Sequence, residues 1–257
     1  MCTPELARAM DTRSVTLVPL PASHLRAAAM ASAHAFADSP AYVAMCGAGA
    51  DREWRIRFMA WLFERNFWLR LGTSCNRAVF EDGQLVAFFM FVTPDVPDVG
   101  AVDMIRAGLL WIPILFGPGV FLRMLRIKAV AEGDNVDTEK GVRARLGTNG
   151  RACRLERMTV VPAKQGCGLG SRCLQLALDE ADAMGWACVL TTQLERNVRF
   201  YQRLGFDTLS KTRWTVEHGA VWSLCMRVWA WWSGTDVSSA LTSFPAWSMV
   251  RWPPPQR

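Results

Sequence analysis

Histidine, tyrosine and paired cysteines are what this 257-residue chain has least of. Three histidines (His24, His34 and His218) and eight cysteines without a C-x-x-C pair leave no zinc-ligand spacing, so no metal is expected. No Lys/Arg block of nucleic-acid type accompanies the formal net charge of +6, which argues against a DNA or RNA partner. A membrane span is wanting too. The one candidate is the uncharged run Ala107–Leu122, 16 residues by count, against the roughly 20 that a spanning helix needs. Gly108, Pro113, Gly117, Pro118 and Gly119 break it, so it reads as a buried or interfacial insertion, with membrane-surface contact the lesser reading. Glu5 and Asp11 and the absence of an apolar core near the start argue against a secretory leader. The cysteines sit mostly among apolar or small residues, as thiols of a reducing compartment do, so the expected location is cytoplasmic. Arg8, Arg13, Arg26 and the surrounding alanines leave organelle targeting open.

What is present is enough for a core: 51% hydrophobic residues against 20% charged. Strands and helices mix along the chain. Val15–Leu20 reads as a first strand, and Ser23 as the cap of an Ala-rich helix from His24 to about Phe36. Arg52–Leu71 has Trp54, Phe58, Trp61 and Leu62 on one face at helical spacing. Asp82-Gly83 separates two apolar runs, Asn76–Phe80 and Gln84–Thr93, and predicts a β-hairpin. Residues from about 98 to 150 read as a partly helical insertion. Beyond it come a strand at Cys153–Val161, a helix at Gly168–Met184 and a strand at Ala187–Thr192. A helix at Glu195–Leu204 and strands at Phe206–Trp214 and Ala220–Trp229 follow, and a tail occupies about 233–257. The tryptophans Trp54, Trp61, Trp68 and Trp111 suit either core packing or the wall of an amine pocket.

Chemistry concentrates between Met158 and Ser171, where a strand ends at Pro162 and Gln165-Gly166-Cys167-Gly168-Leu169-Gly170 leads into a helix. A glycine-rich turn at a helix start presents unpaired N–H groups and the positive end of the helix dipole, which suits a phosphate. It is not a G-x-x-x-x-G-K-[ST] loop, because Lys164 precedes the glycines. It is not G-x-G-x-x-G either, because Ser171 and Cys173 stand where a third glycine is required.

The stretch Val160-Val161-Pro162-Ala163-Lys164-Gln165-Gly166-Cys167-Gly168-Leu169-Gly170 resembles the V-x-P-x-x-[QR]-G-x-G-x-[GA] signature of the GNAT superfamily of N-acetyltransferases. Asn197-Val198-Arg199-Phe200-Tyr201-Gln202-Arg203-Leu204-Gly205-Phe206 resembles its second signature, N-V-x-F-Y-x-x-L-G-F, one helix and one strand further on. The resemblance implies a single α/β (α+β) domain over 1–257: a mixed, mostly antiparallel twisted sheet flanked by helices, its fourth and fifth strands splayed. Acetyl-CoA would enter the splay as co-substrate. Backbone groups of Met158, Val160 and Val161 would pair with pantetheine, and N–H groups from Gln165 through Gly166, Cys167, Gly168, Leu169 and Gly170 to Ser171 would take the pyrophosphate. The implied reaction is direct attack by an amine acceptor on the thioester. Tyr201 matches the general-acid tyrosine, and Val160 N–H would polarise the carbonyl. Glu156 is the candidate base or else one half of a solvated ion pair; strand alternation puts it on the face of Met158 and Val160, barring a bulge. Asn197 is either a pantetheine contact or a helix cap. The alternative function is a non-catalytic acyl-CoA-binding module on the same fold. The acceptor and the oligomeric state are not legible in the sequence.

Overall fold

Asp82 and Gly83 both take positive φ, 49° and 75°, the conformation that a two-residue hairpin turn with right-handed strand twist demands. In the computed structural model, which describes residues 15–47, 49–97, 99–147, 150–217 and 241–254, this turn joins β2 (Asn76–Glu81) to β3 (Gln84–Val92). The other strands are β1 (Val18–Pro19), β4 (Ala152–Val160), β5 (Ala187–Thr192), β6 (Asp207–Glu217) and β7 (Leu241–Arg251). Among the described residues these seven form one sheet in the order β1-β2-β3-β4-β5-β7-β6. Every neighbouring pair is antiparallel except β4 and β5.

The central strand β3 is apolar on both faces because both are covered. Phe88 and Met90 join one core cluster, and Ala87, Phe89 and Phe91 join a second. The first cluster lies under α1 (Leu25–Phe36), α2 (Pro40–Cys46) and α3 (Arg52–Trp68), and under the inserted α4 (Ala101–Arg106), α5 (Ile112–Leu115) and α6 (Pro118–Leu146). The second lies under α7 (Leu169–Ala183) and α8 (Glu195–Gln202).

Helix α3 shows how local signals seat an element. Asp51 accepts the Trp54 N–H at 2.7 Å, an N-cap bond worth about 1 kcal/mol. Ile56, Met59, Phe63 and Phe67 then recur at helical spacing into the core, and the Phe67 ring meets Phe88 of β3 at 4.4 Å. Phe58 and Leu62 are buried as expected, while Trp54 and Trp61 rest half-buried on Phe116 of the insertion. Trp68 and Trp111 are exposed, so neither serves the core. Ser23 does not cap α1: it lies in a short 3-10 turn, and His24 holds the cap position without a side-chain bond.

The insertion is largely helical, and hydrogen bonds help fasten it to the rest of the fold. Arg123 donates to the carbonyls of Met45 and Cys46 at 2.9 and 2.8 Å. Asp134 Oδ2 accepts from Trp214 Nε1 at 2.5 Å and Thr212 Oγ1 at 3.0 Å on β6. The region read as a tail contains β7, which lies between β5 and β6 and is tied to α7 by a bidentate Arg251–Asp182 pair at 2.5 and 2.6 Å. The strand expected at Ala220–Trp229 falls outside the described residues. Among those described, no helix is long and apolar enough to cross a membrane.

Candidate active site

Strands β4 and β5 start as partners and then part. Only Ala152–Arg154 pairs with Ala187–Val189, yet β4 runs on to Val160 and β5 to Thr192. The outer edges of both are taken, β4's by β3 and β5's by β7. Their inner edges therefore face a gap, and this is the expected splay. Backbone groups along it are an open template for an extended ligand.

A bulge in β4 decides what lines the gap. Glu156 stands opposite Met90 and Thr159 opposite Phe88, so β4 carries one extra residue there, and Arg157 takes φ 53°. Side-chain alternation resets across the bulge. Cys153 and Leu155 before it, and Met158 and Val160 after it, all face the second cluster. Glu156 faces the first cluster with its cross-strand partner Met90, so the expectation that it shares a face with Met158 and Val160 is overturned by the bulge.

On that first face Glu156 Oε2 accepts from Arg157 Nη1 at 2.6 Å, and Oε1 lies 3.7 Å from Arg154 Nε. The Arg157 guanidinium stands 5.5 Å over the Phe63 ring. Burial raises the Tyr42 pKa above its ordinary value, with the neighbouring Arg157 opposing the shift. The Ser32 and Thr159 hydroxyls meet at 3.2 Å, and Ser39 donates to Gln193 Oε1 at 3.3 Å just beyond β5. These contacts bring α1 and the start of α2 over β4 and the end of β5. The sequence reading missed α2; its signal was Ser39-Pro40, a cap-type residue before a proline at the first helical position.

The glycine loop follows β4. Val161 is fully committed, its N–H to Val86 O at 3.0 Å and its carbonyl to Lys164 N–H at 2.9 Å. Ladder alternation then turns the N–H and C=O of Val160 toward the gap. Gln165 caps that carbonyl with its side-chain amide at 2.8 Å, while its own N–H goes to Pro162 O at 3.2 Å. Val161 and Gln165 thus brace the turn, and their backbone N–H groups are not available to a ligand. Gly166 and Gly168 take φ 77° and 76°, which turns the loop back into α7. Among the described residues no acceptor meets the N–H of Gly166, Gly168, Leu169, Gly170 or Ser171. Cys167 and Leu169 bury their side chains, so the backbone of the turn faces outward at the positive end of α7. A Cβ at Gly170 would stand 3.4 Å from Met158 Cε and Val160 Cγ2, an ordinary contact.

Across the sheet, Tyr201 is half-buried against the second cluster with its ring 5.1 Å from Phe200 and 5.7 Å from Phe206. Its hydroxyl has no hydrogen-bond partner among the described residues. Burial pushes its pKa above the ordinary 10, with a smaller contribution from Cys188, which pairs with Cys153 where the two strands are still joined. Tyr201 and Glu156 therefore flank the splay from opposite faces of the sheet. Asn197 sits inside the first turn of α8 and donates to Thr192 Oγ1 at 3.2 Å; Leu194 holds the cap position, so the helix-cap reading fails. Among the described residues no group of His, Cys, Asp or Glu could hold a metal ion.

Residues 128–208, which carry β4, the loop, α7, β5 and α8, match the family model of the acetyltransferase (GNAT) domain. Many solved structures share the fold, among them three acetyltransferases. One is a polyamine N-acetyltransferase of Drosophila melanogaster that catalyses formation of N-acetylagmatine (TM-score 0.54, 12% identity, 93% of this chain and 100% of that one). Another, from Corynebacterium glutamicum, is described as histone acetyltransferase HPA2 and related acetyltransferase (TM-score 0.54, 16% identity, 95% and 99%). The third is an agmatine N-acetyltransferase (TM-score 0.51, 13% identity, 93% and 100%). The class defined by this fold and this matched segment is that of the acyltransferases. The segment 128–208 is thus similar to a GNAT acetyltransferase domain. No curated protein matches the sequence.

Proposed function

We propose that this protein transfers an acetyl group from acetyl-CoA to an amine, by direct attack within the β4/β5 splay. The observation that carries the reading is the limited pairing of those strands, Ala152–Arg154 with Ala187–Val189, directly below an outward-facing glycine turn. The pyrophosphate lies against the N–H groups of Gly166 to Ser171, and pantetheine runs along β4, where Met158 and Val160 present backbone groups to the gap. The thioester then lies near the point where the strands separate, with Tyr201 on one side of the sheet and Glu156 on the other.

The chemistry follows from that placement. The amine nitrogen attacks the thioester carbon, a C–N bond forms and the C–S bond breaks. Val160 N–H polarises the carbonyl oxygen. Glu156 takes the proton that the nitrogen loses, and Tyr201 protonates the departing thiolate. Burial keeps the Tyr201 hydroxyl protonated beyond its ordinary range, the state an acid needs. The polyamine and agmatine substrates of the fold relatives suggest cationic amines for a first acceptor panel.

The test is titration calorimetry with acetyl-CoA on the wild type beside Gly168→Trp and Gly170→Trp, followed by free-CoA release over the amine panel. Binding that both variants lose, together with turnover, supports the proposal. Binding without turnover on any amine favours the acyl-CoA-binding module. Absence of binding by folded wild-type protein refutes the site.

A further inference from the structure

We propose that the tip of the insertion docks on a lipid surface bearing anionic headgroups. The tip is the 3-10 turn Leu109–Trp111 together with α5. Leu110, Trp111, Ile114 and Leu115 are exposed there by 57, 58, 73 and 55%. They project from a packed base. Leu109 and Ile112 between them are buried, and the Phe116 ring packs 5.0 Å from Phe58 and 5.3 Å from Trp61. Contiguous large apolar side chains fixed in water mark a contact surface.

Charge selects the occupant. From residue 104 to 131 the chain carries Arg106, Arg123, Arg126 and Lys128 and no Asp or Glu. Arg123 is spent on the Met45 and Cys46 carbonyls and Lys128 pairs with Glu132 at 3.5 Å, while Arg106 is exposed beside the tip. The carboxylate just before this stretch, Asp103, is turned back onto Gly100 N–H at 3.0 Å. An apolar tip holding one tryptophan, with exposed Arg106 beside it, matches the order of a membrane surface: acyl chains, the interfacial belt, then phosphates. A second copy meeting the tip two-fold would set these cations against their own equivalents, which disfavours self-association. With no described helix long and apolar enough to cross a bilayer, the tip inserts into the interface and does not span.

The experiment is co-sedimentation of the full chain with phosphatidylcholine vesicles, with and without roughly 30% phosphatidylserine. The wild type partitions to the anionic vesicles at least about fivefold better than to the neutral ones. Ile114→Asp with Leu115→Asp lowers partitioning about tenfold or more on the anionic vesicles. Arg106→Ala lowers it about fivefold on those vesicles alone. Leu176→Asp, on exposed α7 of the opposite sheet face, leaves it unchanged. Melting curves matching the wild type show that each variant is folded. Failure of the wild type to sediment with anionic vesicles overturns the proposal. So does equal loss in Leu176→Asp, or a concentration-dependent dimer that the tip variant dissolves.

Discussion

Replacing Gly168 by alanine isolates the conformational demand of the loop. Gly168 sits at φ 76°, ψ −5°, and a Cβ there meets nothing within 4 Å, so the cost is intrinsic to the backbone and not to a clash. A left-handed conformation costs an L-residue about 1–2 kcal/mol. That cost must surface in one of two places. If the turn keeps its shape, the melting temperature falls by roughly 2–4 °C per kcal/mol while acetyl-CoA affinity holds. If the turn relaxes to negative φ, the melting temperature is spared, but the N–H groups swing off the phosphate line. Losing one hydrogen bond to a charged group costs about 1.5–3 kcal/mol, or roughly 10- to 150-fold in Kd. Gly170→Ala is the matched control, because Gly170 lies outside the left-handed region and its added Cβ makes only an ordinary 3.4 Å contact. It should stay within about 0.5 kcal/mol of wild type in both readouts. Differential scanning calorimetry and titration calorimetry on the same preparations decide the matter. An unchanged Tm and Kd in Gly168→Ala, or equal damage in Gly170→Ala, refutes the reasoning.

Tyr201→Phe should lower kcat about 100-fold and leave Tm and acetyl-CoA affinity unchanged, because the hydroxyl has no described partner to lose. Burial holds the phenol protonated past pH 10, so any alkaline fall of kcat below that pH belongs to another group and persists in the variant's pH profile. Glu156→Gln weakens the 2.6 Å contact with Arg157 and should cut kcat/KM about 100-fold while acetyl-CoA affinity holds. A loss of melting temperature with kcat/KM unchanged would reduce Glu156 to the counter-ion of Arg157. Asp134→Ala leaves Trp214 Nε1 and Thr212 Oγ1 without their shared acceptor, and should cost about 1–3 kcal/mol of stability with acetyl-CoA titration unaltered.

What could be read in advance was what the chain does within a few residues of itself. The Asp82-Gly83 turn, the strand before Pro162 and the glycine entry to α7 were legible because each rests on a φ preference or a missing N–H that one or two residues impose. The splay was legible only through resemblance, since no local pattern tells a strand to abandon its partner after Arg154. Strand β7 escaped because Pro245, opposite Arg213, and the closing prolines read as tail; its place depends on pairing with β5 and β6, far away in sequence. The bulge escaped for a sharper reason. Arg157 adopts φ 53°, a conformation its residue type gives no hint of, and its side chain is held by Met90 on β3, Phe63 on α3 and the neighbouring Glu156 on its own strand. That one residue turns Glu156 to the first face of the sheet while Met158 and Val160 stay on the second. Glu156 and the pair Met158 and Val160 of β4 thereby come to face different sides of the sheet, a separation of two side-chain sets on one strand. The residue that creates it is the one that a count of alternating positions along β4 misplaces.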